Sequence, residues 1–129
     1  MSEERRTPTS PRRRRILLIE DNIDAADTLR EILEMEGHTV EVAYSGTEGV
    51  QKARSWAPDT ILCDIGLPDR DGHAVARDLR SDPQLRGVLL VALSGFTRPE
   101  DIQRALDAGF DRHLAKPPDL DALERLLAA

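Results

Sequence analysis

The chain has 129 residues, 40% of them hydrophobic and only 3% aromatic, with a net charge of −6. That length sustains one aliphatic core but not two, and the scarcity of aromatic rings excludes a stacking platform for single-stranded nucleic acid. The charge is uneven: residues 1–15 hold six arginines against Glu3 and Glu4, a basic arm of +4, and the remainder holds twelve bases against 22 acids, an acidic domain of −10.

Residues 1–13 are rich in Arg, Ser, Thr and Pro and show no periodicity, so they read as a disordered arm in front of a domain at 14–129. The block Arg12 to Arg15 could bind the phosphates of nucleic acid or an acidic partner. The acidic domain behind it speaks against broader nucleic-acid contact. Ile16 to Ile19 is an apolar run of strand length that stops at Glu20-Asp21-Asn22. Although arginines precede it, four apolar residues fall short of the roughly 7–15 that a secretory signal needs. The longest apolar run, Val88 to Leu93, has six residues, against the roughly 18 of a membrane span. A soluble, cytoplasmic protein is expected, and the single Cys63 fits a reducing compartment.

From Ile23 the apolar residues move to helical spacing, with Ala26, Leu29 and Leu33 on one face, Asn22 or Asp21 as the cap and Gly37 as the stop. Thr39 to Ala43 reads as a second strand and Ser45 to Arg54 as a weaker helix. Thr60 to Asp64 is a third strand, bounded by Pro58 and by the Gly and Pro of Ile65-Gly66-Leu67-Pro68. A helix over Gly72 to Arg80 breaks before Pro83, and Val88 to Leu93 is a fourth strand, apolar throughout and so covered on both faces. Pro99 opens a helix whose core face is Ile102, Ala105, Leu106 and Gly109. Arg112 to Ala115 is a short fifth strand, and Asp119 caps a last helix carrying Leu120, Leu123, Leu126 and Leu127. Strands alternating with helices call for a parallel sheet with helices on both faces.

Parallel strands bring their carboxyl ends to one edge, where ligands of open α/β sheets bind. The residues at those ends are Glu20 and Asp21, Asp64, Ser94 and Lys116. Close carboxylates repel one another, and a hard divalent cation such as Mg2+ relieves this while leaving room for phosphate oxygens. Asp64 can then act as a nucleophile toward a phosphoryl group, with Lys116 pairing one phosphoryl oxygen and Ser94 hydrogen-bonding another. His38, His73 and His113 show no paired metal-ligand spacing. No Gly-rich phosphate loop follows the first strand, which argues against a nucleotide enzyme.

Ile19-Glu20-Asp21-Asn22, Asp64-Ile65-Gly66-Leu67-Pro68 with Asp71-Gly72, Leu93-Ser94-Gly95 and Lys116-Pro117 follow one another in order on this (βα)5 pattern. In this the chain resembles the receiver domain of two-component response regulators, from about Arg14 to Ala128. The resemblance implies a flavodoxin-like, doubly wound α/β sheet in the order 2-1-3-4-5. It implies phosphorylation of Asp64 by a phosphohistidine of a sensor histidine kinase or histidine phosphotransfer protein. Asp21 and Asp64 would bind Mg2+ through their side chains, Gly66 through its backbone carbonyl and Glu20 through water. The Lys116–Pro117 bond would be cis, as in the family, against roughly 5–6% of X-Pro bonds in general. Phosphate would draw Ser94 inward and switch the surface of the fourth helix, fifth strand and last helix, for a downstream protein or a second copy. Such a module is no turnover enzyme; its chemistry is self-catalysed phosphotransfer and autodephosphorylation.

The sequence departs from the family at His113, where receivers carry the rotating Tyr or Phe; an imidazole can still turn between inside and outside, and could titrate near neutral pH. Gly66 and Phe96 stand where relatives often carry polar side chains near the attacking water, so a longer phosphoryl lifetime is expected. It would be refuted by a half-life unchanged in Gly66→Asn and Phe96→Glu. No output domain is expected after the last helix; a free-standing receiver, a relay intermediate and a receiver excised from a hybrid kinase remain open, with Met1 and the unusual arm favouring the first. The alternatives are a Mg-dependent phosphatase with an aspartyl nucleophile, which wants a second Asp where Gly66 stands, and a constitutive adaptor using the arginine arm.

Overall fold

The computed structural model describes residues 13–129. The basic arm expected at residues 1–13 lies, apart from Arg13, outside the described residues. Strands β1 (Arg15–Ile19), β2 (Thr39–Ala43), β3 (Thr60–Asp64), β4 (Leu89–Ser94) and β5 (Arg112–Ala115) alternate with helices α1 (Ile23–Met35), α2 (Gly46–Trp56), α3 (Gly72–Arg80), α4 (Pro99–Ala108) and α5 (Leu120–Ala128). All pairings are parallel and the sheet order is β2-β1-β3-β4-β5. This is the doubly wound order expected, with its switch point between β1 and β3.

The period of two along each strand divides the core. Ile16 and Leu18 of β1 point to one face, where Ala26, Leu29 and Leu33 of α1 and Leu123 and Leu127 of α5 cover them. Leu17 and Ile19 point to the other, against Val50 and Ala53 of α2, Val75, Ala76 and Leu79 of α3 and Ala105 and Ala108 of α4. Short polar side chains start four of the five helices, and α4 starts on Pro99 instead. Asn22 accepts from the Ala25 amide, Ser45 from Glu48, Asp71 from His73, and Asp119 from Asp121 and Ala122. α2 has a second anchor from afar: Asp69, in the β3–α3 loop, accepts from the amides of Gly46 (2.8 Å) and Thr47 (3.0 Å) and from the Thr47 hydroxyl (3.0 Å).

The amino-terminal edge of the sheet is closed by Arg14, which is buried. Its Nε donates to the Leu127 carbonyl (2.6 Å), one terminal nitrogen to Thr60 Oγ1 (3.0 Å) and the other to the Ala129 carbonyl (3.1 Å). Its backbone amide donates to Nδ1 of His38 (3.0 Å), and Thr60 Oγ1 donates to Asp59 (2.7 Å). The guanidinium thus ties the end of α5 to β3.

Several expectations shift: β1 starts one residue earlier, at Arg15, and α2 runs from Gly46 to Trp56, two residues past the expected end. β4 runs one residue later than expected, because the Val88 amide bonds back to Leu85 after a 3-10 turn at Pro83–Leu85 and stands outside the ladder. On α4, Leu106 is 40% exposed, and the buried contacts are Ala105, Ala108 and, beyond the helix, Phe110. Small residues bring this helix close to the sheet, so Leu106 is turned out.

Candidate functional site

The carboxyl ends of β1, β3, β4 and β5 deliver the expected side chains to one cleft. Asp64 closes β3 with its side chain 8% exposed, and Glu20, one residue past β1, is 5% exposed. Lys116, just past β5, reaches between them: its Nζ donates to Glu20 Oε1 at 2.8 Å and to Asp64 Oδ2 at 3.1 Å. Burial pulls the lysine pKa down, but the hydrogen bonds to Glu20 and Asp64 and their charges outweigh it, so the ammonium is held above the usual lysine value. The second oxygen of Glu20 accepts from the Asn22 amide (3.1 Å), and Asp64 Oδ1 accepts from the Gly66 amide (2.9 Å). Asp21 is exposed and completes the cluster: Glu20, Asp21 and Asp64 each offer an oxygen within 4.8 Å of the others. Three carboxylates face one ammonium, so the site is deficient in positive charge.

That deficit is the test of a metal. The three ligand atoms are all carboxylate oxygens, the donors a hard divalent cation prefers. The nearest soft donor, Cys63, is unsuited: burial and the charges of Asp64, Glu20 and Asp71 push its thiol pKa far up, and Sγ lies 3.4 Å from the Asp64 carbonyl. The donor set fits Mg2+.

Ser94 ends β4, buried; its Oγ accepts from the Phe96 amide (2.9 Å), while its carbonyl accepts from the Lys116 amide (3.0 Å). The opening lined by Asp64, Gly66, Ser94, Gly95, Phe96 and Lys116 measures about 350 Å³, room for a phosphoryl group and waters. The Lys116–Pro117 peptide bond is cis. Gly72 opens α3 because nothing larger fits: a Cβ there would lie 2.5 Å from Ile65 Cα and 2.9 Å from the Asp64 carbonyl oxygen. His113 does not join the cleft's hydrogen bonds. It pairs with Ala92 across β4–β5, half-buried, and its Nε2 is buried without a protein partner among the described residues.

Residues 16–128 match the family model described as "Response regulator receiver domain". The chain is 38% identical over 105 residues to the gliding motility regulatory protein of Myxococcus xanthus, covering 81% of this chain but 14% of that protein. It is 31% identical over 102 residues to the polar-differentiation response regulator DivK of Brucella ovis, covering 79% and 83%. Among solved structures it superposes with a TM-score of 0.84 at 25% identity on a chain of the Saccharomyces cerevisiae complex between the phosphotransfer protein Ypd1 and the receiver domain of Ssk1, covering 92% and 88%. The chain belongs to the response regulator receiver family, and its role is that of a phospho-accepting signalling domain. Among the described residues no helix is long and apolar enough to cross a membrane.

What the sequence did not reveal is how the cleft is held in place. The Asp69 contacts to α2 join residues 22 and 23 positions apart. Nothing local to Asp69 marks it as other than a turn residue.

Proposed function

We propose that Asp64 is the phosphoryl acceptor, with Glu20, Asp21, Asp64 and the Gly66 carbonyl holding Mg2+. The observation that supports this best is the Lys116 ammonium bridging Glu20 and Asp64 while Asp21 stands within ligand distance of both. A carboxylate oxygen of Asp64 attacks the phosphorus of a donor phosphohistidine. The P–O bond forms as the P–N bond breaks, and the donor nitrogen leaves with the bonding pair. Mg2+, when bound, neutralises carboxylate and phosphoryl oxygens. Lys116 gives up one of its two carboxylate contacts to pair with a phosphoryl oxygen. The Ser94 hydroxyl exchanges its contact with the Phe96 amide for a second phosphoryl oxygen, which draws the β4–α4 loop inward. That loop leads into α4, so the change would be read on the α4–β5–α5 surface, by a downstream protein or a second copy. His113 lies at the base of this surface and is assigned a part in the switch. Gly66 and Phe96 place no polar side chain beside the phosphoryl group, which favours a long-lived phosphoprotein.

The donor is proposed to be a histidine kinase or phosphotransfer protein acting in the cytoplasm. A largely apolar groove of about 700 Å³ runs between α1 and the β5–α5 connection, bordered by Leu29, Ile32, Pro117, Pro118 and Leu120, and it reaches Glu20 and Lys116. A helix laid there would bring a histidine to Asp64. The likeness to Ssk1, solved with its phosphotransfer partner, supports a donor of this kind. The reading is tested by intact mass after incubation with acetyl phosphate. A Mg2+-dependent gain of about 80 Da (one PO3H) in the wild type, absent from Asp64→Asn, is expected. No gain, together with no beryllofluoride binding, would refute it.

A further inference from the structure

A second cleft, of about 280 Å³, opens between α3 and α4 on the far side of Ser94, lined by Ile65, Asp71, His73, Arg77, Ser94, Phe96, Asp101 and Arg104. At its base His73 is only 9% exposed. Its ring is fixed by Asp71, whose Oδ1 takes both the His73 amide (2.9 Å) and Nδ1 (2.8 Å). The carboxylate accepts from Nδ1–H, which leaves Nε2 buried with no partner among the described residues. Two arginines stand at the lips. Arg30, Arg54, Arg70 and Arg80 each pair with an aspartate, whereas among the described residues Arg77 and Arg104 make no side-chain hydrogen bond or close ion pair, Arg77 feeling only the nearby charge of Asp71. Opposite them Asp101 Oδ2 is buried without a hydrogen bond, 3.7 Å from Arg98 Nε. Phe96, 70% exposed, forms the rim. A water could satisfy Nε2, but two guanidiniums, Arg77 and Arg104, line the same opening.

We propose that this cleft binds a small phosphate monoester, its oxyanion held by Arg77, Arg104 and His73 Nε2–H and a hydroxyl of its body donating to Asp101. Guanidinium forks match phosphate oxygens in pairs. The volume admits a small metabolite and not a dinucleotide, and the Phe96 ring covers its carbon body. With a proton brought to Nε2 by the phosphate itself or by solvent, both ring N–H groups face acceptors, Asp71 on one side and the oxyanion on the other. The groups that face the ring are Asp71 and Arg77 from its own helix turn and the next, Ser94 and Phe96 from the end of β4, and Asp101 and Arg104 from α4. Occupancy would brace α3 against α4 directly behind Ser94, which ties this cleft to the phosphorylation site without sharing its carboxylates.

The test is an NMR titration of the Mg2+-free protein with inorganic phosphate and glycerol 3-phosphate, with glycerol as the uncharged control, following the His73 ring and the Phe96 ring. Both anions are expected to move these resonances, glycerol 3-phosphate at lower concentration. In R77Q/R104Q, where both changes are on exposed side chains that the fold does not use, affinity should fall at least about tenfold. His73→Gln should weaken binding as well. No movement at His73, equal affinity in the arginine double variant, or shifts confined to Asp64 and Lys116 would each overturn the proposal.

Discussion

The two edges of the sheet are built on opposite plans. At the amino-terminal edge the buried Arg14 meets carbonyls, a hydroxyl and Asp59, and its surroundings are satisfied on every side. At the carboxyl-terminal edge Glu20, Asp21 and Asp64 crowd together with only Lys116 to answer them. The first arrangement stabilises the fold. The second leaves three carboxylates to one ammonium, an imbalance that a bound cation would relieve. Binding sites are commonly kept below the stability optimum in this way.

The largest effect is expected from breaking the saturated edge. Arg14→Met should lower the unfolding free energy by roughly 3 kcal/mol, since hydrogen bonds from a charged donor are lost and their buried acceptors left bare. Urea denaturation measures this; a loss below about 1 kcal/mol, or a change in Mg2+ affinity, would show that the two edges are not separate in the way described. Next comes the deficient edge. Mg2+ at a hundredfold excess over Kd should stabilise the wild type by about 2.7 kcal/mol. In Asp21→Asn that gain should vanish, while the metal-free protein becomes slightly more stable; a less stable metal-free variant would contradict the repulsion.

Lys116→Met should cost about 2 kcal/mol at neutral pH by leaving the buried Glu20 and Asp64 carboxylates unpaired. The folded lysine pKa lies above the ordinary 10.5. Its contribution is therefore full below that value and is lost as pH rises through the folded pKa, so wild type and variant should converge in strong alkali. Guanidinium unfolding across that range would show it. The smallest effect concerns Asp69, exposed, with hydrogen bonds from the Gly46 and Thr47 amides holding its pKa near about 2 instead of 3.8. Stability from this cap is present above 3.8 and fades as pH falls through about 2. Asp69→Asn should remove that part of the acid dependence, and an unchanged acid profile would deny the anchor its role.

Much of the site could be read in the sequence, because strand ends in a parallel sheet share an edge and the residues there are chemically conspicuous. Asp64 needed only its place after the apolar run Thr60-Ile61-Leu62-Cys63, and Lys116 its place at the end of a short fifth strand before Pro117. The Arg14 lock was not legible: its partners lie 24 to 115 positions away, and an arginine in a basic block looks like solvated charge. The outward turn of Leu106 escaped for a related reason. Helical spacing fixes which residues share a face, but whether an alanine or a leucine meets the sheet depends on how closely the helix approaches.

Gly72 sets how closely the end of β3 and the start of α3 approach each other. With no room for even a methyl group between it, Ile65 and the Asp64 carbonyl, the start of α3 and the end of β3 meet backbone to backbone. No pliable side chain lies between them to absorb a displacement. The spacing between β3 and α3 is therefore set by main chain alone, and a side chain added at position 72 would have to push the two elements apart.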